Sequence, residues 1–193
     1  MNDYLKINEN IYSINPLSSF KIQKANKEDL NDILEFIFSD FLITEPLNAS
    51  LGLTRLESEK FFNSLVSTSL NNELSYLVKD PNENNKIIAI RLTSIIKRNK
   101  EINELFNEDN YFDISLNIQK IIKILNNVES KIWDLIPLNI NCLANWVILS
   151  VSNNYKRKGI GEALLNYNIE EIKNYGCQGF ITEASAFKSQ KVF

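Results

Sequence analysis

Residues 144–165, ANWVILSVSNNYKRKGIGEALL, constrain the fold more than any other stretch of the chain. The near-continuous apolar run ANWVILSV reads as a strand buried on both faces, as strands flanked by helices are. Two glycines follow it directly, and then a sequence that forms a helix. Strand, glycine turn and helix in that order demand a layered α/β architecture, with helices packed on a sheet.

The remaining periodicities fit that frame. FKIQKA (20–25) alternates like a strand, and Asn26 with Asp29 three residues on is a helix start of the capping-box type. Leu30, Ile33, Leu34, Ile37, Phe38 and Phe41 then recur at helical spacing, predicting an amphipathic helix that ends near Ile43, because Pro46 removes a backbone donor and biases Glu45 out of the helical region. Leu56, Phe61, Phe62, Leu65 and Val66 mark a second helix. LSYLVKD (74–80), the break DPNENN and KIIAIRLTSIIK (86–97) predict a β-hairpin.

Polar residues 99–113 read as a loop or lid, and Ile118, Ile121, Ile122, Leu125 and Val128 as a third helical stripe. After the glycines, Leu165, Ile169 and Ile172 predict a helix stopped by Gly176, CQGFITEAS (177–185) another strand, and FKSQKVF the start of a last helix. The expected order is β-α-α-β-β-α-β-α-β-(α) in one domain, with residues 1–19 as an N-terminal extension and a sheet of mixed pairing.

Composition narrows the chemistry. The chain has no His, and its two cysteines, Cys142 and Cys177, lack metal-ligand spacing, so no zinc site and no Ser-His-Asp hydrolase is expected. Proton transfer then falls to Glu, Asp, Tyr, Lys, Cys or water. Twenty-one Lys and Arg against 24 Asp and Glu argue against nucleic-acid binding through many phosphates. A polar, acidic start and the lack of a long apolar run point away from a secretory signal or a membrane span, and toward a cytoplasmic protein.

The turn YKRKGIG is open to two readings, a solvated basic turn with a helix cap or a phosphate cradle. The first amides of a helix are unpaired and sit at the positive end of its dipole, and glycine lets an anion approach them. Two of the chain's 5 Gly stand in this one turn. The dinucleotide and Walker loops do not match, since the first would need Gly at Leu164 and the second is absent.

KRKGIG resembles the R/Q-x-x-G-x-G/A motif of the GNAT acetyltransferases, with Lys156 where Arg or Gln is usual. FLITEPLNASLGL (41–53) resembles the segment after the first helix in the arthropod and nematode arylalkylamine N-acetyltransferases, and SAFKS (185–189) resembles their serine-bearing segment. The resemblance implies a GNAT-like acyl-CoA N-acyltransferase fold over residues 20–193. It also implies acetyl-CoA as cosubstrate, held by Lys156, Arg157, Lys158, Gly159, Ile160 and Gly161 and by strand residues Leu149, Ser150 and Val151, one of whose amides would face the oxyanion.

By the same resemblance Glu45 is the base, Ser185 and Ser189 relay a proton to the leaving thiolate, and the acceptor is a small primary amine of the arylalkylamine kind. Members run on with two more strands where this chain ends. The expectation is therefore a C-terminally incomplete domain whose exposed sheet edge is open to self-association in an otherwise monomeric protein. A CoA-binding pseudoenzyme is the alternative.

Overall fold

The computed structural model describes residues 15–98 and 114–191; the expected lid 99–113, and Val192 and Phe193 of the last predicted helix, lie outside the described residues. A five-stranded sheet runs in the spatial order β1-β2-β3-β4-β5. Its strands are β1 (Lys21–Lys24), β2 (Tyr76–Asp80), β3 (Lys86–Lys97), β4 (Cys142–Val151) and β5 (Phe180–Ile181). Neighbours are antiparallel except β4 and β5, which are parallel. The mixed α/β sheet is the expected one.

The first helix opens at the predicted capping box, in which Asn26 and Asp29 satisfy each other's backbone N–H. It comprises α1 (Leu30–Phe36), a π-helical turn (Ile37–Phe41) and α2 (Leu42–Thr44). A π turn takes up an additional residue, so the faces beyond it rotate relative to a uniform helix. The predicted stripe accordingly slips: Leu42 is buried where Phe41 was expected, and Phe41 only packs against the core from its side.

Glu45 is extended, and Pro46 then begins a helix that the periodicity does not show, α3 (Pro46–Leu51), closed by Gly52 in the left-handed region at φ 58°. Thr54 and Glu57 form a second capping box that starts α4 (Arg55–Ser69), whose Phe61, Phe62, Leu65 and Val66 are buried as predicted. The turn between β2 and β3 is a 3-10 turn (Pro81–Glu83) followed by left-handed Asn84 and Asn85.

In α5 (Leu116–Glu129), Ile118, Ile121 and Ile122 face the core, but Val128 does not: it is exposed, because the stripe ends before the last turn. A short α6 (Ile132–Leu135) follows. The core lies on both sides of the sheet. Leu77, Ile90, Leu92 and Ile148 meet α1, α4 and α5 on one side, and Tyr76, Val78, Ile88 and Ala89 meet Ile160 and Leu164 on the other. Leu17, within the stretch read as an extension, is buried in that second layer.

Three expectations on the C-terminal side need correction. The single helix after the glycines is two, α7 (Ile160–Leu165) and α8 (Ile169–Asn174), broken at left-handed Asn168. The break has a distant cause. Arg91, fully buried on β3, donates from Nη1 to the carbonyls of Leu164 (2.8 Å), Leu165 (3.0 Å) and Tyr167 (2.8 Å), so a charged side chain takes up the orphan carbonyls of the helix end.

The strand expected over 177–185 is in register with β4 only at Phe180 and Ile181, led in by main-chain bonds at Gln178 and Gly179, because the chain diverges from β4 after Ile181. Beyond that point β4 has a strand on one side only, so Trp146, Val147, Leu149 and Val151 are half-buried instead of buried on both faces. The chain closes with α9 (Phe187–Gln190).

Candidate active site

Glu45 stands between α2 and α3 as the N-cap of the latter, its Oε2 accepting the Asn48 N–H at 2.7 Å. Its second oxygen is directed elsewhere. Oε1 accepts a hydrogen bond from Ser185 Oγ at 2.6 Å, across 140 residues of sequence. The two residues singled out from separate motifs are thus brought together.

Ser185 is not a helix cap, since α9 begins after Ala186 without a side-chain cap. Ser189 lies in α9, half-buried, and its hydroxyl makes no hydrogen bond among the described residues. That Glu45 caps a helix was signalled by Pro46, which favours the first helical position. Tyr155 and Tyr175 contribute nothing here. The Tyr155 hydroxyl donates to Asp80 at 2.8 Å, which pushes its pKa up to about 12, and Tyr175, expected to pack, is half exposed.

The segment that carries Ser185 also reaches β4, where Thr182 Oγ1 donates to the Trp146 carbonyl at 3.0 Å. From Trp146 onward the outer edge of β4 has no strand partner among the described residues, whereas its inner edge stays paired, Leu149 with Arg91, Ser150 with Ile90 and Val151 with Ala89. Val147 has no register partner on β3, a bulge that bends the strand where the unpaired edge begins. Ser152 N–H donates to the Ile88 carbonyl, and by strand alternation Ser150 also turns its main-chain groups toward β3, so among the described residues Leu149 and Val151 present theirs to the open edge and Ser150, expected with them, does not.

In the loop that follows, Gly159 adopts φ 75° and caps α7. A Cβ on Gly159 would also stand 2.9 Å from Pro16 Cγ, so packing as well as backbone conformation requires the glycine. Gly161 lies beside Val151, whose Cγ2 would be 3.5 Å from an added Cβ. Among the described residues the backbone N–H groups of 157–162 donate to no protein acceptor.

The three cations are placed differently from one another. Lys156 Nζ bonds Asn153 Oδ1 at 2.5 Å and lies 3.8 Å from Asp40, while Lys158 sits over the Tyr155 ring at 4.9 Å. Arg157, left-handed at φ 62°, is exposed and makes no bond among the described residues. Asp40, which the sequence does not single out, fastens the π turn to this loop by accepting the Asn153 N–H at 2.9 Å.

Sequence reading also missed two carboxylates, Glu129 buried and Glu183 half-buried, where α5 meets the segment after β5. Glu129, in the last turn of α5, faces Glu183, and burial together with that like charge pushes its pKa up to about 8. Burial raises Glu183 as well. No local signal marks either residue, because their juxtaposition depends on how α5 meets the segment after β5.

No protein-family model matches the chain, and no curated protein matches its sequence. Solved structures do match. Arylalkylamine N-acetyltransferase 2 from Aedes aegypti superposes with a TM-score of 0.73 at 23% identity, covering 90% of this chain and 79% of that one. This chain has the GNAT fold. The same fold relates it to a putative arylalkylamine N-acetyltransferase 7 from the same mosquito, with a TM-score of 0.73 at 19% identity over 90% and 70% of the two chains. It also relates it to the Drosophila melanogaster polyamine N-acetyltransferase, with a TM-score of 0.74 at 12% identity over 90% and 79%. Within the GNAT fold of this chain, β4 leads directly into the glycine loop, and the segment tied to its Trp146 by Thr182 carries Ser185 to Glu45.

Proposed function

We propose that the chain is an acetyl-CoA-dependent N-acetyltransferase acting on a small primary amine, for which an arylalkylamine is the model acceptor. The observation that carries this reading is the 2.6 Å bond between Glu45 and Ser185, whose segment also bonds β4 at a strand edge that no strand covers among the described residues.

The residues fit the cosubstrate. An extended amide-bearing arm can pair with the open edge at Leu149 and Val151, and the amides of 157–162, unpaired among the described residues, with the exposed Arg157 suit a pyrophosphate. Bound there, acetyl-CoA supplies a thioester carbonyl as electrophile and a thiolate as leaving group.

The chain's own part begins with the amine. An alkylamine has a pKa of about 10 and arrives mostly protonated, so it cannot attack until a base accepts its proton. Glu45 is that base: its Oε1 is held by one hydroxyl donor and otherwise faces outward from a helix N-cap. Nitrogen then bonds to the acyl carbon while a main-chain N–H of β4, around Leu149 to Val151, faces the developing oxyanion. As the carbon–sulfur bond breaks, Ser185 can give its hydroxyl proton to sulfur and regain one from Glu45, while the nitrogen releases its remaining surplus proton to water, which leaves a neutral amide and returns both residues to their starting states.

Replacement of Glu45 by Gln tests this directly. Turnover, followed as thiol release with an alkylamine, should fall by about 10²–10⁴-fold. Acetyl-CoA affinity measured by calorimetry should be unchanged. Undiminished turnover in that variant removes Glu45 from the chemistry, and cosubstrate binding without turnover in the unaltered chain leaves a CoA-binding module.

A further inference from the structure

Two thiols that the proposed chemistry does not use meet at one end of the sheet. Cys142 opens β4, and Cys177 follows α8, 35 positions later. Both are free, their sulfurs lie 3.9 Å apart, and both side chains pack with Leu74, Ala144 and Ile172 beneath α8.

The backbone already has the spacing that a bridge requires. Gln178 N–H donates to the Cys142 carbonyl at 2.8 Å and Ala144 N–H to the Gly179 carbonyl at 3.0 Å, so the two segments run side by side at the strand separation of about 4.8 Å. Disulfides span Cα separations of about 4.4–6.8 Å, and a swing of each sulfur by about 1 Å brings this pair to bonding distance. Access differs between the two. Cys142 is half-buried beside exposed Asn141, whereas Cys177 is buried, and that burial, with Cys142 beside it, pushes its thiol up to about 12. Lys97, the register partner of Cys142 on β3, offsets part of that rise. A dissolved oxidant therefore meets Cys142 first.

We infer that Cys142 and Cys177 are a reversible dithiol–disulfide pair that clasps β4 to the segment entering β5, oxidised by exchange with a small-molecule disulfide. Cys142, as its thiolate, attacks one sulfur of the small disulfide and expels the other half as a thiolate, leaving a mixed disulfide. Cys177 then gives up its proton and attacks the Cys142 sulfur, which expels the second small thiolate. The two protons lost by the cysteines end on the two small thiols, and the two electrons that the cysteines give up reduce the small disulfide. The covalent ring so closed holds β4, the glycine loop, α7 and α8, and restricts the unfolded chain across that whole segment. This inference is independent of the acetyltransferase reading.

The test exposes the folded full chain to oxidised glutathione and follows it by intact mass and by peptide mapping without reduction. The unaltered chain should lose two hydrogens, yield a peptide pair joined through Cys142 and Cys177, and return to its starting mass with dithiothreitol. Its Tm should be higher by at least about 4 °C in the bridged form. Cys177→Ser should stop at one glutathione adduct on Cys142, and Cys142→Ser should take up none, since the remaining thiol is buried.

Two thiols that stay open to alkylation overturn the pair, as does a glutathione adduct that persists on Cys142 in the unaltered chain, or a bridge between two chains instead of within one. A bridge that forms within the chain and leaves Tm unchanged overturns the clasp. Should a serine variant fail to fold, the unaltered chain decides alone.

Discussion

At the scale of single residues, Glu129 has the most measurable property. Its carboxyl titrates near about 8 in the folded protein against an ordinary value of 4.5, with Glu183 facing it. The folded state therefore keeps a proton that the unfolded chain releases. Stability should fall as pH rises from about 4.5 to about 8 and level off above, the direction expected when the native state binds more protons.

Glu129→Gln keeps the shape and removes the ionisation. Thermal melts should show little change near pH 4.5 and a gain in Tm at pH 8, on the order of a few kcal/mol in stability at most. An unchanged pH profile would place the titrating group elsewhere. Glu45 was legible in the sequence because its neighbour Pro46 and its motif are local. Glu129 and Glu183 were not, since 54 residues separate them and neither has a distinctive neighbour.

At the scale of elements, local signals succeeded where local forces decide. Asn26 with Asp29 forms the capping box it spells out, and Pro81 with the asparagines turns the hairpin. They failed where a distant side chain intervenes. The π turn moves burial from Phe41 to Leu42, and the Asp40 it contains is tied to Asn153 and Lys156, residues more than a hundred positions away. The apolar stripe after the glycines looks continuous, yet Arg91 ends α7.

Arg91 is also the element-scale test. It stacks over Tyr76 at 5.0 Å, its pKa is lowered to about 10 by burial, and Glu171, which accepts from Lys24, Tyr76 and Asn168, offsets its charge. Arg91→Ala would leave three carbonyls and a buried space unfilled. Denaturant unfolding should show a loss of about 3–5 kcal/mol. A loss below about 1 kcal/mol would mean that α7 ends there without the guanidinium.

At the scale of the whole molecule, the order of the strands and the layering on a mixed sheet were readable, because hydrophobic period dictates which segments can pack on a sheet, whereas the short helices α3 and α6 and the split of α7 from α8 were not. Where the sheet opens was not readable. CQGFITEAS has the composition of a full strand, and its divergence after Ile181 follows from contacts made by Thr182, Glu183 and Ser185 with three other parts of the chain. If acetyl-CoA fills that opening, it binds only the folded state. Saturation at 100 times its dissociation constant should add about 2.7 kcal/mol and raise Tm by about 5–11 °C. Differential scanning fluorimetry with and without acetyl-CoA reads this, and a Tm that does not move counts against a ligand at the opening.

The one-sided pairing of β4 has a consequence for how such a protein tolerates change. A partner gripped by main-chain atoms at Leu149 and Val151 is held by groups that every amino acid except proline carries. The grip does not read the side chains there, whose exchange is limited instead by the packing of Leu149 and Val151 against the α7 layer, and proline is the one substitution that removes the donor itself. Recognition of that kind leaves almost no imprint in the alphabet of the chain, which is how strands of dissimilar sequence can perform the same task.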